Sequence, residues 1–457
     1  MGRGRLVVVG VVVLVAVLVG GVAWYLGPIA PVATGYAAKT ACSGHLLAGR
    51  PLDDAAGDLP DNPLVPFLRT EVDEDAGTVS ASLLGLWDST AWYTPGVGCT
   101  LATADPGFAP LQAAAVADPS AEWPLGEAVD LDAARDAAGV DGAALDRAVE
   151  NAFVEDAPDG LRKNTRAVVV VRDGRVVAER YADGFDAQTP LLGWSMGKSV
   201  ANAVVGRLVA DGRMALDDAD LREEWAGDLR AQITMAELLH MTSGLAFDET
   251  YDPDTDATNM LFRPGSTAEF AAAKPLADDP GTAWSYSSGT SNIVCDEAQD
   301  ASELGLELAR DLVFDPLGMT SAVMEADASG GLVCSSFPYM TARDWARFGQ
   351  WFLQEGEWEG QQLLPTDWIE ATTTPVELET ENPYGAHWWL NEGADGDLRM
   401  PGVPADAYWA SGNEGQQVVV VPSEDLVVVR LGFTTDFSGI DWGLEALLTG
   451  AISATGS

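Results

Sequence analysis

Gly193-Trp194-Ser195-Met196-Gly197-Lys198-Ser199 opens an uncharged run, Val200 to Gly206, that reads as the first turns of a helix. A serine at the mouth of an apolar helix, with a lysine three residues on, is the S-x-x-K arrangement of an acylatable serine. Residues three apart share a helix face, so the Lys198 ammonium is expected beside the Ser195 hydroxyl, where a base has to be. The same residues spell G-x-S-x-G, the elbow that offers a nucleophile to a distant histidine. A third reading makes Ser195 a helix cap and Lys198 a solvated side chain. The chain has four lysines, Lys39, Lys163, Lys198 and Lys274, and only Lys198 has a serine three positions before it.

Working outward, 457 residues allow a catalytic domain of about 300 residues plus an appendage. Seventy acidic against 25 basic residues give a formal charge of -45, which repels nucleic acid and anionic membrane surfaces and argues against a nucleic-acid partner. Arg3 and Arg5 precede an uncharged stretch, Leu6 to Leu26, long enough to cross a bilayer as a transmembrane helix. The basic flank is expected to stay in the cytoplasm and the rest to be exported, as a single-pass membrane protein with its catalytic domain outside. The alternative is a cleaved signal with a late site such as Ala33-Thr34-Gly35, giving a secreted protein. The domains so read are an anchor or signal over 1–27, an appendage over 28–124, and a hydrolase domain over 125–457, with Val116 to Pro124 as linker. Export makes Cys42, Cys99, Cys295 and Cys334 candidates for two disulfides in one of three connectivities. Their grouping favours Cys42 with Cys99 and Cys295 with Cys334; the alternative is four buried thiols.

Within the appendage, Thr78 to Leu84 and Ala91 to Leu101 read as strands around a Trp-Asp-Ser-Thr turn. Regular pattern starts at Asp141, an N-cap before Leu145, Val149 and Phe153 at helical spacing. Arg166 to Arg172, Asp173-Gly174 and Arg175 to Tyr181 form a β-hairpin. Thr234 and Thr341 cap helices running to Met241 and Leu353. Late strands are expected at Tyr384 to Leu390, Tyr408 to Ser411, Gln416 to Val421 and Leu426 to Leu431, then a helix from Gly439 to Leu448. This order implies an α/β (α+β) fold, one antiparallel sheet assembled from both ends of the domain and flanked by helices, with a helical subdomain in the middle.

These signals together resemble the serine β-lactamase and penicillin-binding-protein superfamily, in particular class C β-lactamases, related esterases and 6-aminohexanoate-dimer hydrolases. The likeness runs from Asp141 to Leu448. It rests on Gly193 to Ser199, Ile233 to Leu245, Pro280 to Ser288, Phe314 to Met319 and Ala410 to Gly415, in that order. The resemblance implies that Ser195 is the nucleophile, Lys198 its base and Tyr286, in Tyr286-Ser287-Ser288, the proton shuttle. It also implies an oxyanion hole from the backbone N–H groups of Ser195 and Asn413 beside the Ser411-Gly412 strand, and no cofactor. A lysine must be desolvated or given cationic neighbours to act as base near neutrality, and a phenol of lowered pKa beside it could relay its proton. Two departures bear on substrate. Ala410 replaces a basic residue that helps hold a carboxylate, and Ser288 replaces an amide that places the substrate. A site lacking that cation, in a negative field, is expected to disfavour anionic β-lactams and favour neutral or cationic esters and amides.

The histidine-triad reading has only His240 and His387 after Ser195, and the strand that should feed an elbow contains Pro190. Three scattered histidines give no zinc pattern. Asp252-Pro-Asp-Thr-Asp256 lacks the glycine and late glutamate of a calcium loop. The expected activity is a serine hydrolase acting on a small ester or amide. The alternative is a membrane-anchored penicillin-binding protein or sensor that acylates without turnover.

Overall fold

The computed structural model describes residues 20–21, 24–60, 62–113, 118–157, 160–378, 380, 382–435 and 442–456. At its centre Thr165–Arg172 and Arg175–Tyr181 pair antiparallel across Asp173-Gly174, whose φ values of 48° and 69° are those a two-residue hairpin turn needs. Leu426–Gly432 then pairs with Thr165–Arg172, setting Val428 opposite Val170. The six-stranded antiparallel sheet runs Trp389–Leu390, Tyr408–Gly412, Gln416–Val421, Leu426–Gly432, Thr165–Arg172, Arg175–Tyr181. Both ends of the domain therefore build one sheet, as expected from the sequence.

The valine runs are buried on both faces. Val169, Val171, Val418, Val420, Val427 and Val429 face one core, and Val168, Val170, Val419, Val421 and Val428 face the other. A sheet covered on both sides needs apolar residues at every position rather than alternation. Ala342–Leu353 lies against the first face, started by the Asp344 N–H donating to the Thr341 hydroxyl. Gly142–Ala152 and Leu444–Ala454 cover the second; the last helix begins later than expected, and its expected start at 439–441 lies outside the described residues. Met235–Leu239 carries a full capping box between Thr234 and Glu237.

Three expected elements differ, the first being Ala91 to Leu101, which is not one strand but parts of two, Trp87–Thr94 and Gly98–Leu101, paired antiparallel across a turn at 95–97. Of Tyr384 to Leu390 only Trp389–Leu390 is strand, because His387 takes a φ of 59° and turns the chain out of the ladder. Trp87 to Thr90 is not a turn but the start of the strand Trp87–Thr94; the reversal falls at Leu84 and Gly85, with φ of 55° and 67°.

The appendage is a helix, Ala30–Cys42, on a four-stranded antiparallel meander, Leu68–Asp73, Thr78–Leu83, Trp87–Thr94 and Gly98–Leu101. Ala37, Ala38 and Ala41 meet Ala81 and Ala91 in its small core, and Cys42 is bonded to Cys99. The helix is buried on its other side as well. The Lys39 ammonium pairs with Glu325, which also accepts from the Ser43 hydroxyl at 2.8 Å and the Cys99 N–H at 2.6 Å. Arg166 of the central hairpin grips Asp58 with two hydrogen bonds, of 2.9 and 2.5 Å. Ala33-Thr34-Gly35 thus lies inside an ordered helix, with Thr34 fully buried. Further along, Trp123 is buried and Arg347 donates to the carbonyls of Pro124 and Gly126.

Most of the expected transmembrane stretch, residues 6–19 and 22–23, lies outside the described residues; among those described, no helix is long and apolar enough to cross a membrane.

Candidate active site

The helix Met196–Ala210 begins immediately after Ser195, whose side chain makes no capping hydrogen bond, so the bland reading of this serine fails. Lys198 is 1% exposed and its Nζ stands 3.1 Å from Ser195 Oγ, 3.0 Å from Ser288 Oγ and 3.1 Å from the Ser335 carbonyl oxygen. Burial lowers the Lys198 pKa from 10.5 to about 8, against an opposing pull from the Glu249 carboxylate. An amine so placed is neutral in an appreciable fraction of molecules near pH 8 and can accept the serine proton.

Trp194 holds the turn in shape. It sits at φ 48°, an unusual backbone for a bulky residue, and its indole N–H donates to Glu414 Oε2 at 2.9 Å. Behind it lies Tyr36 of the appendage helix, ring centroids 6.2 Å apart, so the appendage backs the turn that carries Ser195. The glycines of the motif mark close approaches. A Cβ on Gly197 would lie 2.3 Å from the Cys334 carbonyl oxygen, and one on Gly193 2.4 Å from the Trp345 ring. Gly412 faces the turn from the sheet edge, where a Cβ would meet the Gly193 carbonyl oxygen at 2.1 Å. These contacts bring Ser411, Gly412 and Asn413 to the serine. Among the described residues neither the Ser195 nor the Asn413 backbone N–H donates to a protein acceptor, as two oxyanion donors require.

Tyr286 also reaches the site. Its ring lies over the Lys198 ammonium, 4.7 Å from Nζ to centroid, and both Ser195 and Tyr286 line one pocket. The expected lowering of its pKa is overturned: burial, with the Glu249 carboxylate adding to it, holds the phenol well above its usual range. Tyr286 is therefore held as the neutral phenol, a hydrogen-bond donor. Ser288 takes part in holding Lys198 and donates its hydroxyl to Glu249 Oε1 at 2.5 Å, while its backbone N–H donates to Glu249 Oε2 at 2.7 Å.

The histidines stand apart from this chemistry. His387 donates from Nδ1 to the Lys198 carbonyl at 3.0 Å and accepts from Ser291 Oγ at 3.1 Å through Nε2; burial first, then Lys198, pushes its pKa down to about 3. His240 bonds to the Ala236 carbonyl within its own turn. Among the described residues no group of three or more His, Cys, Asp or Glu is arranged to hold a metal ion.

Three residues that pattern reading did not single out complete the site. Glu249, in an irregular loop, bonds to Ser288 as described. Ser335 offers Lys198 a carbonyl and follows Cys334, whose disulfide to Cys295 ties this loop to the helix after Tyr286. The third is Arg399, which lines the same open pocket, of about 640 Å³, as Ser195, Tyr286, Ser411 and Asn413. The expectation of a pocket without a cation, drawn from Ala410, is thus corrected. The signal that would have pointed to Ser335 is the Cys295–Cys334 pairing, which ties its loop to the helix after Tyr286; Glu249 has no local signal.

A family model described as Beta-lactamase matches residues 151–439. The 6-aminohexanoate-dimer hydrolase of Paenarthrobacter ureafaciens is 25% identical over 318 residues, covering 62% of this chain and 76% of its own length. A penicillin binding protein from Bacillus halodurans shares the fold with a TM-score of 0.51 at 16% identity, over 66% of this chain and 98% of its own. A class C β-lactamase mutant does so with a TM-score of 0.51 at 14% identity, over 68% and 96%.

Proposed function

The chain belongs to the β-lactamase family, and from that membership we propose that it is a serine hydrolase that cleaves ester or linear amide bonds through an acyl-serine intermediate. The observation that carries this reading is the 3.1 Å approach of the buried, pKa-lowered Lys198 amine to Ser195 Oγ. In the reaction Lys198 takes the serine proton as Oγ attacks the substrate carbonyl. The N–H groups of Ser195 and Asn413 receive the developing oxyanion, each donor contributing a few kcal/mol, about 10²–10³ in rate. Tyr286 gives its proton to the departing oxygen or nitrogen and is reprotonated by the Lys198 ammonium, which carries the proton taken from Ser195. Water then attacks the acyl-serine by the reverse route. The relative named as a 6-aminohexanoate-dimer hydrolase supports a linear amide as one substrate class. Ala410 leaves the position beside the serine itself without a cation, while the arginine of the same pocket, Arg399, stands on its wall against Trp389 and Trp409.

Two disulfides support an oxidising compartment, so we place the catalytic domain outside the cytoplasm. The buried helix containing Ala33-Thr34-Gly35 favours a retained segment over cleavage there.

The test is steady-state turnover of a p-nitrophenyl ester, a D-amino-acid amide, a linear aminohexanoate dimer and a chromogenic cephalosporin. Turnover of the ester or a linear amide above that of the cephalosporin, lost in Ser195→Ala, is the expected result. Undiminished turnover in Ser195→Ala would refute the reading. A burst of one product equivalent without turnover would point to an acylated sensor instead.

A further inference from the structure

Two bulky residues sit in the left-handed backbone region, one beside each donor of the oxyanion hole. Trp194, at φ 48°, directly precedes Ser195, and Glu414, at φ 61°, directly follows Asn413. Such a backbone is uncommon for side chains of this size and persists only where the surroundings hold it. The Trp194 indole N–H donates to Glu414 Oε2 at 2.9 Å, so one hydrogen bond joins the two turns. It links the donors by a short path, from Ser195 to Trp194, across to Glu414 and back to Asn413.

Each end of this tie is anchored. Trp194 is 2% exposed and packs against Tyr36 and Phe337, each at 6.2 Å between ring centroids. The Glu414 carbonyl accepts from the Thr434 N–H at 3.0 Å and from the Arg430 guanidinium at 3.3 Å, which fixes its turn to the strand Leu426–Gly432 and the residues after it. The two backbones are also in close contact, since a Cβ on Gly412 would lie 2.1 Å from the Gly193 carbonyl oxygen. Close packing sets how near the turns come, and the hydrogen bond sets the angle between them. An oxyanion hole needs both, because its donors must converge on an oxygen position reached only in the transition state.

The tie is also electrically suited to its place. A carboxylate here would oppose the negative charge that develops on the oxyanion. Burial raises the Glu414 pKa to about 8, although the Trp194 N–H and Arg166 pull it down, with Asp58 adding a smaller push upward. At pH 7 the group is therefore mostly the neutral acid, which still accepts the indole N–H through an oxygen.

We propose that Glu414 is a positioning residue, whose hydrogen bond to Trp194 holds the Ser195 and Asn413 N–H groups at the spacing and angle an oxyanion requires. The proposal rests on the serine-hydrolase reading and adds to it a residue that acts through its two neighbours. Tyr36 brings the appendage into the same device by backing Trp194.

The experiment compares a p-nitrophenyl ester with the thionoester of the same acyl group in the full chain, reading p-nitrophenol release in turnover or in a single burst. A thiocarbonyl sulfur accepts hydrogen bonds more weakly than a carbonyl oxygen. The oxo-to-thiono rate ratio therefore reports on the hole and not on general stability. Glu414→Leu and Trp194→Phe, the latter keeping a ring against Tyr36 and Phe337, are each expected to lower that ratio by about tenfold or more. The loss should fall on kcat for the ester, with KM little changed. Glu414→Gln, whose amide oxygen can still accept from the indole, is expected to keep most of the ratio, and thermal unfolding is checked for each variant. A ratio unchanged in either Glu414→Leu or Trp194→Phe, or a fall in Glu414→Gln as large as in Glu414→Leu, overturns the proposal. Release that persists in Ser195→Ala would sink the hydrolase reading itself, whereas Ser195-dependent release with an unchanged ratio sinks the tie alone.

Discussion

Replacing Lys198 with alanine is expected to lower kcat/KM for a p-nitrophenyl ester by about 10²–10⁴-fold, the usual contribution of a positioned general base. The size follows from what the amine touches. It is the one basic group within 3.1 Å of Ser195 Oγ among the described residues, and His387 is engaged at both ring nitrogens. The pH profile carries the sharper information. The base must be unprotonated to act, and its pKa is lowered to about 8, so kcat/KM of the wild type is expected to rise with pH through that value and level off above it. Lys198→Ala should lose that limb. Glu249 is the carboxylate that holds the lysine pKa up, so Glu249→Gln should move the same limb to lower pH. A profile that lacks a limb near 8 in the wild type, or undiminished turnover in Lys198→Ala, contradicts the role given to the amine.

Tyr286→Phe is the second large effect, and it should depend on the leaving group. The ring is anchored by stacking on Trp389 and by edge contact with Tyr384 at 6.0 Å, both of which phenylalanine preserves, so the fold should be unaffected. What is lost is the proton. For a linear amide, whose nitrogen must be protonated to depart, kcat is expected to fall by about 10²–10⁴-fold. For a p-nitrophenyl ester, which leaves as a stable anion, the fall should be much smaller. Equal losses on both substrates would show that the hydroxyl acts before bond cleavage, and not as the donor to the leaving atom.

The sheet and the Ser-Lys helix were legible because their signals are local and periodic. The valine runs, the Asp173-Gly174 turn and the caps at Asp141, Thr234 and Thr341 each specify their element within a few residues. The disulfide pairs were legible from their grouping along the chain. The appendage was not, for two physical reasons. Ala30–Cys42 is buried on two sides and made of small residues, so it shows no polar face. Leu68–Asp73 is half exposed, with Arg69, Glu71 and Asp73 turned outward, so its composition is that of a loop.

The candidate site divides along the same line. Ser195 and Lys198 are fixed by one helical turn, while Tyr286 and Asn413 needed the resemblance to join them to it. Glu249 and Arg399 come from irregular loops whose positions depend on long-range packing. Arg399 also reversed the expectation about charge that Ala410 alone suggested. One residue beside the serine does not describe the electrostatics of a pocket that the whole sheet edge and its loops enclose.

The most direct measurement is covalent labelling of the full chain with a fluorophosphonate, followed by intact-mass analysis and peptide mapping. A single adduct on Ser195, formed in the wild type, absent in Ser195→Ala and strongly slowed in Lys198→Ala, is the expected result. An adduct on another residue, or labelling of Ser195 at an unchanged rate without Lys198, would contradict it.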